Sequence, residues 1–239
     1  MPKSDDSEGD DNPRTPIDRA FITNDPKRTE LILVRHGQQN FPDIDAAIED
    51  WRDPPLTDLG ERQAHAAGES LANDNIAAVY SSQLQRAHRT GIAVAERHGL
   101  DVEVMESLAE IHMFGELEPH QRPIDVMTER ELNGARHRFA LQRRWEAYPH
   151  TESSIDFRRR TANAIEGIIA HHPAETVVVA CHGGVINAYL ADFLGLHADM
   201  FYRPAHASIH RVLARHDRRV VLSLNEMHHL RGPADLLTF

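Results

Sequence analysis

Short runs of consecutive apolar residues recur along the chain and predict its strands. The run at 31–34 reads Leu-Ile-Leu-Val, and the run at 177–180 reads Val-Val-Val-Ala. Unbroken runs of this kind are typical of strands buried on both faces, because a half-exposed strand would alternate apolar and polar residues. The predicted strands lie near 31–35, 76–80, 102–105 and 177–181, with weaker ones near 208–214 and 219–224.

Between these runs, apolar residues recur at helical spacing. One such stripe consists of Leu84, Ala87, Gly91, Ile92 and Ala95. Thr57 is of a residue type that commonly caps a helix N-terminus. The predicted helices lie near 57–72, 83–98, 125–146, 155–171 and 184–194. Because strands and helices alternate, we expect an α/β fold, a three-layer α/β/α sandwich with a mainly parallel sheet.

Residues suited to phosphate chemistry follow two of the predicted strands. Arg35 and His36 end the first strand, and His182 and Gly183 follow the strand near 177–181, where a helix begins. Arginine grips phosphate through a rigid fork of donors, and histidine is a nitrogen nucleophile. Open α/β sheets bind ligands at the carboxyl ends of their strands, so we expect both histidines at that edge.

Two of the candidate residues also have purely structural interpretations. A histidine before two glycines is commonly a turn residue, although the matching position of His36 favours a ligand role for His182. Arg86 lies in the first turn of the predicted helix near 83–98. It is either a solvated surface arginine or a phosphate ligand, and a bound anion would offset its unfavourable position in the helix dipole.

Five motifs, in order, resemble those of the histidine phosphatase (phosphoglycerate mutase-like) superfamily. They are Arg35-His36-Gly37, Pro55-Leu56-Thr57-Asp58-Leu59-Gly60 with Gln63-Ala64, Ser81-Ser82-Gln83-Leu84-Gln85-Arg86-Ala87 with Thr90, Leu108-Ala109-Glu110, and His182-Gly183-Gly184. A single motif could arise by chance, but five in the family's order are specific. The resemblance covers about residues 31–230 and implies a phosphoglycerate mutase-like sandwich.

The resemblance also implies a phosphohistidine mechanism with defined roles. His36 would attack phosphorus and carry the phosphoryl group. Arg35, Arg86 and His182 would hold the phosphoryl oxygens and stabilise their charge. Glu110 would protonate the leaving oxygen and then activate the water that hydrolyses the intermediate.

Two further phosphate ligands are expected, and one of them departs from the family pattern. Gly183 would contribute through its place at a helix N-terminus. Asn40 follows His36 by four residues, whereas many relatives place an asparagine six residues after the nucleophile. His206 stands where asparagine is common in the family.

Hydrolysis is favoured over mutase activity by the residue that follows Glu110. Cofactor-dependent mutases typically carry an arginine there, which helps grip the phosphoglycerate, and this chain has Ile111. An aliphatic side chain cannot bind a carboxylate or a second phosphate. The sequence therefore predicts a metal-independent phosphatase acting on a small phosphorylated metabolite. A primer-dependent mutase and an inactive member that binds phosphorylated ligands remain as alternatives.

Charge and composition narrow the expected partners. The 239 residues carry a formal net charge of −11, which argues against nucleic acid or an anionic membrane as partner. No apolar run reaches the ~20 residues of a membrane span, and the polar start lacks a signal-peptide core, so we expect a cytoplasmic protein. The adjacent histidine pairs at 171–172 and 228–229 lack metal-ligand geometry, so neither metal nor cofactor is predicted. The sequence leaves the oligomeric state open, with a homodimer as one option.

The same patterns predict the domain organisation. Residues 1–28 have almost no apolar periodicity and begin with an acidic stretch, which is typical of a disordered tail. Residues 29–239 would form one catalytic domain. Within it, the segment 112–151, rich in His, Arg and Glu, is expected to be an inserted helical cap over the site.

Overall fold

A six-stranded mixed sheet forms the centre of the protein. The computed structural model describes residues 15–43, 46–232 and 235–239, apart from the side chain of Arg19. The strands are β1 (Thr29–Arg35), β2 (Ile76–Ser81), β3 (Val102–Val104), β4 (Thr176–Cys181), β5 (Ile209–Arg215) and β6 (Arg218–Glu226). Their order across the sheet is β3-β2-β4-β1-β5-β6. The pairs β1–β4, β2–β4 and β2–β3 are parallel, while β5 is antiparallel to both β1 and β6.

Helices cover both faces of this sheet. They are α1 (Pro16–Phe21), α2 (Ile48–Arg52), α3 (Asp58–Leu71), α4 (Gln85–Ala95), α5 (Pro123–Val126), α6 (Glu129–Gln142), α7 (Ser154–His171) and α8 (Gly183–Leu194). Short 3-10 turns lie at Glu106–Leu108, Trp145–Ala147 and His228–Leu230. None of the helices in the described part of the chain has both the length and the apolar character needed to cross a bilayer.

Alternate residues of β1 divide the core between the two helical layers. Leu31 and Leu33 pack in one apolar cluster with α7 and α8, and Ile32 and Val34 pack in another with α3 and α4. All four side chains are fully buried, and burying such a side chain contributes roughly 1.5–3 kcal/mol. The predicted α/β/α sandwich is therefore confirmed.

The strand register brings the candidate motifs to one edge of the sheet. Arg35, the last residue of β1, is paired with Cys181, the last residue of β4. Ser81, at the end of β2, is paired with Ala180. The residues after these three strands must consequently emerge side by side, which is the arrangement that the parallel-sheet prediction requires.

The loop after β1 is fixed by a close approach to the start of α3. A Cβ atom on Gly37 would lie 2.3 Å from the carbonyl oxygen of Gly60, so only glycine fits at that position. Thr57 caps α3 as predicted, with its side chain accepting a hydrogen bond from the Gly60 amide. The close approach of Gly37 to Gly60 therefore holds the chain directly after His36 against the start of α3.

Part of the predicted tail is structured. Residues 1–14 lie outside the described residues, but Pro16–Phe21 forms helix α1, with Ile22 buried behind it. Thr15 and Asp18 form a reciprocal capping box, and Pro16 occupies the first helical position. These local signals are present in the sequence and favour a helix here, whereas the acidic stretch that suggested a tail lies within residues 1–14, outside the described residues.

The predicted cap helix near 125–146 is shorter than expected. The segment contains α5 and α6, and α6 ends where Arg143 adopts a left-handed conformation. The carbonyl of Arg143 accepts hydrogen bonds from the amides of Asp199 and Met200. On its other side, the Gln121 carbonyl accepts from the Ile48 amide of α2. The segment 112–151 is thus attached both to α2 and to the loop after α8.

Candidate active site

His36 and His182 face each other at the shared carboxyl edge of β1 and β4. Their ring centroids are 5.1 Å apart, and both side chains are buried. The amide of His36 donates to the carbonyl of Cys181 at 2.9 Å, which continues the β1–β4 ladder into the site. The geometry therefore follows directly from the strand register.

The His36 imidazole is held in one orientation. Its Nδ1 lies 2.7 Å from the Gly37 carbonyl oxygen, so Nδ1 carries the proton and Nε2 keeps a free lone pair. Burial, together with the charges of Arg86, His182 and Arg35, lowers the pKa of His36 well below its ordinary value. The ring is neutral near pH 7 and has the protonation state of a nucleophile.

Two arginines, the partly buried Arg35 and the buried Arg86, flank this pair of histidines. Nη1 of Arg35 donates to the carbonyl of Pro204, and burial lowers the pKa of Arg35 to about 10. Nη1 of Arg86 lies 3.4 Å from the carbonyl of Arg52 and 3.8 Å from a carboxylate oxygen of Asp53. Burial also lowers the pKa of Arg86, although both guanidinium groups still carry their charge at neutral pH.

Four polar atoms here are buried without a hydrogen-bond partner among the described residues. They are Nε of Arg35, Nε of Arg86, and both ring nitrogens of His182. Buried polar groups are nearly always paired, so a cluster of unpaired ones marks a place where a ligand supplies the partners. The two Nε–H groups are hydrogen-bond donors on positively charged side chains, so the ligand that they favour is an anion.

The N-terminus of α8 completes the anion-binding group. A Cβ atom added to Gly183 would lie 3.6 Å from Nε of Arg35, so the start of this helix adjoins the Arg35 guanidinium. The helix dipole favours negative charge at that end. Two arginines, a helix N-terminus and two neutral histidines together form a cradle suited to a phosphoryl group.

Glu110 lies on the other side of the α8 N-terminus. Its carboxylate accepts hydrogen bonds from the amides of Ile111 and Gly184, each at 3.0 Å. A Cβ atom on Gly184 would lie only 2.2 Å from Oε1 of Glu110, so the carboxylate packs directly on this glycine. The side chain is partly exposed and is placed beside the anion cradle.

Arg160, a residue that sequence reasoning missed, holds the backbone around Glu110. From α7 its guanidinium donates to the carbonyls of Ser107, Ala109 and Glu110. Its position is fixed by a two-point pair with the carboxylate of Glu152. Arg160 is the last of three consecutive arginines on α7, and nothing in that run distinguishes it in the sequence. His206 was also missed as a site residue, and it contacts Arg35.

Asn40 is the predicted site residue that the structure does not bring to this cluster. It is exposed, and its amide donates to the Pro55 carbonyl at 2.8 Å. Asn40 lines an open cavity of about 630 Å³, together with Phe41 and several carboxylates including Asp53. Within the described residues it makes no hydrogen bond to the arginines or histidines of the cradle, and its role stays a prediction. Six of the seven predicted residues lie together; they are His36, Glu110, His182, Arg35, Arg86 and Gly183.

Comparison with known proteins identifies the family. The sequence model of the histidine phosphatase superfamily (branch 1) matches residues 31–227. The chain belongs to this superfamily. The resemblance expected from the order of the motifs is thereby confirmed.

Members of the superfamily that are similar to this chain include both mutases and phosphatases by name. A probable phosphoglycerate mutase, GpmB, of Yersinia pestis (strain Pestoides F) is 30% identical over 185 residues, which is 77% of this chain and 84% of the relative. The native mycobacterial glucosyl-3-phosphoglycerate phosphatase has a TM-score of 0.67 at 26% identity, over 83% of this chain and 99% of that one. A phosphoserine phosphatase from Entamoeba histolytica, solved with 3-phosphoglyceric acid, has a TM-score of 0.66 at 25% identity, over 85% and 100% of the two chains.

The two glycines at the start of α8 provide a matched test of the position of Glu110. Gly184→Ala is expected to lower kcat for phosphoryl transfer by about 10²-fold if Glu110 is the acid–base group, because the new Cβ must displace its carboxylate and a shift of this size misplaces such a group. Gly183→Ala should cost far less, since its Cβ meets Arg35 only at ordinary contact distance. Steady-state kinetics on both variants checks this, and equal losses would contradict the placement of Glu110.

The buried neutral histidines should make stability fall as the pH is lowered. Burial is the main reason that the pKa values of His36, His182, His206 and His210 are lowered, for the last two to about 3. An unfolded histidine titrates near pH 6.5, so below that pH the unfolded chain binds protons that the folded chain does not. Each such histidine should lower the free energy of unfolding by about 1.4 kcal/mol between about pH 7.5 and about pH 5.5.

Urea unfolding at the two pH values measures this change. His210→Gln should be less stable at both values but should lose about 1.4 kcal/mol less on acidification than the wild type does. His120, which is exposed, gives the control, and His120→Gln should keep the full pH dependence. An unchanged pH dependence in His210→Gln would show that this histidine does not contribute through its titration.

Proposed function

We propose that the protein is a metal-independent phosphomonoester hydrolase that acts on a small phosphorylated metabolite through a phosphohistidine at His36. The observation that carries this proposal is the free Nε2 lone pair of His36 beside a cradle of unpaired buried donors. A neutral nucleophile and a preorganised anion site are the two elements that phosphoryl transfer requires.

In the first step, Nε2 of His36 attacks phosphorus and the bond to the ester oxygen breaks. Protonated Glu110 gives its proton to the leaving oxygen, so the alcohol departs neutral. The arginines, His182 and the N-terminus of α8 stabilise the charge on the non-bridging oxygens. The Nδ1–H bond to the Gly37 carbonyl stabilises the positive charge that develops on the ring.

In the second step, water attacks the phosphohistidine. The Glu110 carboxylate, now ionised, accepts a proton from this water, and the P–N bond breaks. Inorganic phosphate leaves, His36 returns to its neutral form, and Glu110 is again protonated. The hydrogen bonds from the amides of Ile111 and Gly184 keep the carboxylate in the same place for both proton transfers.

A second candidate is phosphoglycerate mutase activity, which the name of the Yersinia relative favours. The position after Glu110 supports hydrolysis instead. Ile111 is buried within the same apolar cluster as Phe157 and Val185, so no cation extends from it toward a phosphoglycerate. The two named phosphatases with the same fold act on small phosphomonoesters, which supports that substrate class here.

Phosphate release from a panel of esters tests the proposal. The panel contains p-nitrophenyl phosphate, phosphoserine, 3-phosphoglycerate and glucosyl-3-phosphoglycerate, with EDTA present throughout. A parallel assay follows conversion of 3-phosphoglycerate to 2-phosphoglycerate with and without a bisphosphoglycerate primer. Turnover in the panel without mutase activity is the expected result. Primer-dependent isomerisation that exceeds hydrolysis would favour the mutase, and saturable inorganic phosphate binding without turnover would favour a binding role.

A further inference from the structure

His206 contacts the guanidinium of Arg35 and fixes its orientation together with Pro204. Nη2 of Arg35 lies 3.0 Å from Nε2 of His206, and its Nη1 donates to the carbonyl of Pro204. Because an arginine can only donate, Nε2 of His206 must present a lone pair, and the proton of the ring must be on Nδ1. With both Nη groups engaged, the plane of the guanidinium is fixed and its unpaired Nε adjoins Gly183 at the start of α8.

The required tautomer of His206 is matched by Thr238. Nδ1 of His206 lies 2.8 Å from Oγ1 of Thr238, which accepts the Nδ1 proton. The amide of His206 also donates to the carbonyl of Thr238, at 3.0 Å. The hydroxyl is itself oriented by Nε2 of Gln63, which donates to it at 2.8 Å. Residues 235–239 (the 235–239 segment) are therefore linked to Arg35 by the two hydrogen bonds of the His206 ring.

Other contacts keep the 235–239 segment in place. Nε2 of Gln63 also donates to the Leu236 carbonyl, and Oε1 of the same side chain accepts from the Gln38 amide, two residues after His36. Nη2 of Arg203 donates to the main-chain oxygen of Phe239. Gln63 is fully buried, so one side chain ties the segment to the loop that carries the nucleophile.

We propose that His206 is a positioning residue for Arg35, and that Thr238 holds His206 in the tautomer which this role requires. The inference rests on the proposed function, in which Arg35 stabilises the transferring phosphoryl group. His206 does not act on protons itself, because both of its ring nitrogens are engaged. Burial and the charges of Arg35 and Arg203 lower its pKa to about 3, so the ring stays neutral and able to accept from Arg35.

Kinetics of paired variants test the positioning role. His206→Leu removes the acceptor and should lower kcat/KM for p-nitrophenyl phosphate about 10- to 100-fold, mainly in kcat, because Arg35 acts most strongly in the transition state. His206→Gln places an oxygen near the position of Nε2 and should therefore keep most of the wild-type kcat/KM. Thr238→Val should lower kcat/KM by a few fold. Thr238→Ser, which keeps the hydroxyl, should have kcat/KM close to the wild-type value.

The decisive control measures the effect of His206→Leu in a protein that lacks the Arg35 guanidinium. If His206 acts through Arg35, then His206→Leu should cause little further loss in an Arg35→Lys background, whereas a merely structural role would cause the same loss in both backgrounds. Thermal unfolding of each variant separates changes in stability from changes in kcat. Equal losses in the two backgrounds would overturn the proposal.

A measurement that does not depend on turnover separates this proposal from the proposed function. Nitrogen-15 NMR of histidine-labelled protein reports the tautomer of each ring, and His206, assigned by its loss in His206→Gln, should carry its proton on Nδ1. The affinity for inorganic phosphate, measured by calorimetry, should fall in His206→Leu. An Nε2-protonated or charged His206 overturns the positioning role even in an active enzyme. A wild-type protein without turnover overturns the proposed function, and the tautomer and phosphate affinity then decide the positioning role.

Discussion

His36→Ala is expected to lower kcat for phosphomonoester hydrolysis by about 10³-fold or more, because no other described group offers an unprotonated nitrogen in the same position. Both ring nitrogens of His182 are also unpaired, but its ring centroid lies 5.1 Å from that of His36, and the proposed mechanism assigns His182 to the phosphoryl oxygens. Substrate binding should change much less, since the arginines and the α8 N-terminus remain. The measurement is steady-state kinetics with p-nitrophenyl phosphate.

Two controls make the loss in His36→Ala interpretable. His65 is an exposed histidine on α3, and His65→Ala should keep wild-type kcat. Calorimetric binding of inorganic phosphate to His36→Ala should persist, which shows that the cradle is still folded. A His36→Ala variant that retained more than a tenth of the wild-type kcat would exclude His36 as the nucleophile.

Glu110→Gln is expected to lower kcat by about 10²- to 10⁴-fold for esters with poor leaving groups, since the amide cannot supply a proton to the departing oxygen. The substitution keeps size and an oxygen acceptor for one of the two amide bonds, so the fold should be retained. The loss in the first step, measured as the rate of the initial release of alcohol, should be much smaller for p-nitrophenyl phosphate, whose leaving group needs little protonation. The difference between the two kinds of substrate measures the general-acid role directly.

Glu106 supplies the matched control for this variant. It is an exposed carboxylate four residues earlier, and Glu106→Gln should leave both substrates unaffected. If Glu110→Gln slowed the initial release of alcohol equally for alkyl and p-nitrophenyl esters, Glu110 would be a structural or electrostatic group instead of the proton donor.

The residues that the sequence revealed are those whose position depends on one strand and its end. His36 and His182 follow apolar runs that can only be buried strands, and parallel strands bring their carboxyl ends to one edge. Their proximity therefore followed without knowledge of the register. Arg86 was ambiguous by itself, and it became a site residue only through the family's motif order.

The residues that the sequence did not reveal act across long separations. Arg160 reaches the backbone of Glu110 from a helix 50 residues further on, and His206 meets Arg35 across 171 residues. Such contacts depend on how helices and loops pack on the sheet, and no local pattern encodes that packing. Asn40 is the opposite case, because its residue type suggested a phosphate ligand while its side chain is exposed, and its role stays a prediction.

A covalent phosphohistidine at His36 is the intermediate on which the proposed mechanism depends, and trapping it is the most direct test. Wild-type protein and His36→Ala are mixed briefly with p-nitrophenyl phosphate that is radiolabelled in the phosphoryl group, and are quenched in alkaline detergent, in which the P–N bond survives. We expect label that is stable to base and labile to acid in the wild type, located on the peptide that contains His36, and none in the variant. Turnover without any trapped label, or label on another residue, would contradict the mechanism.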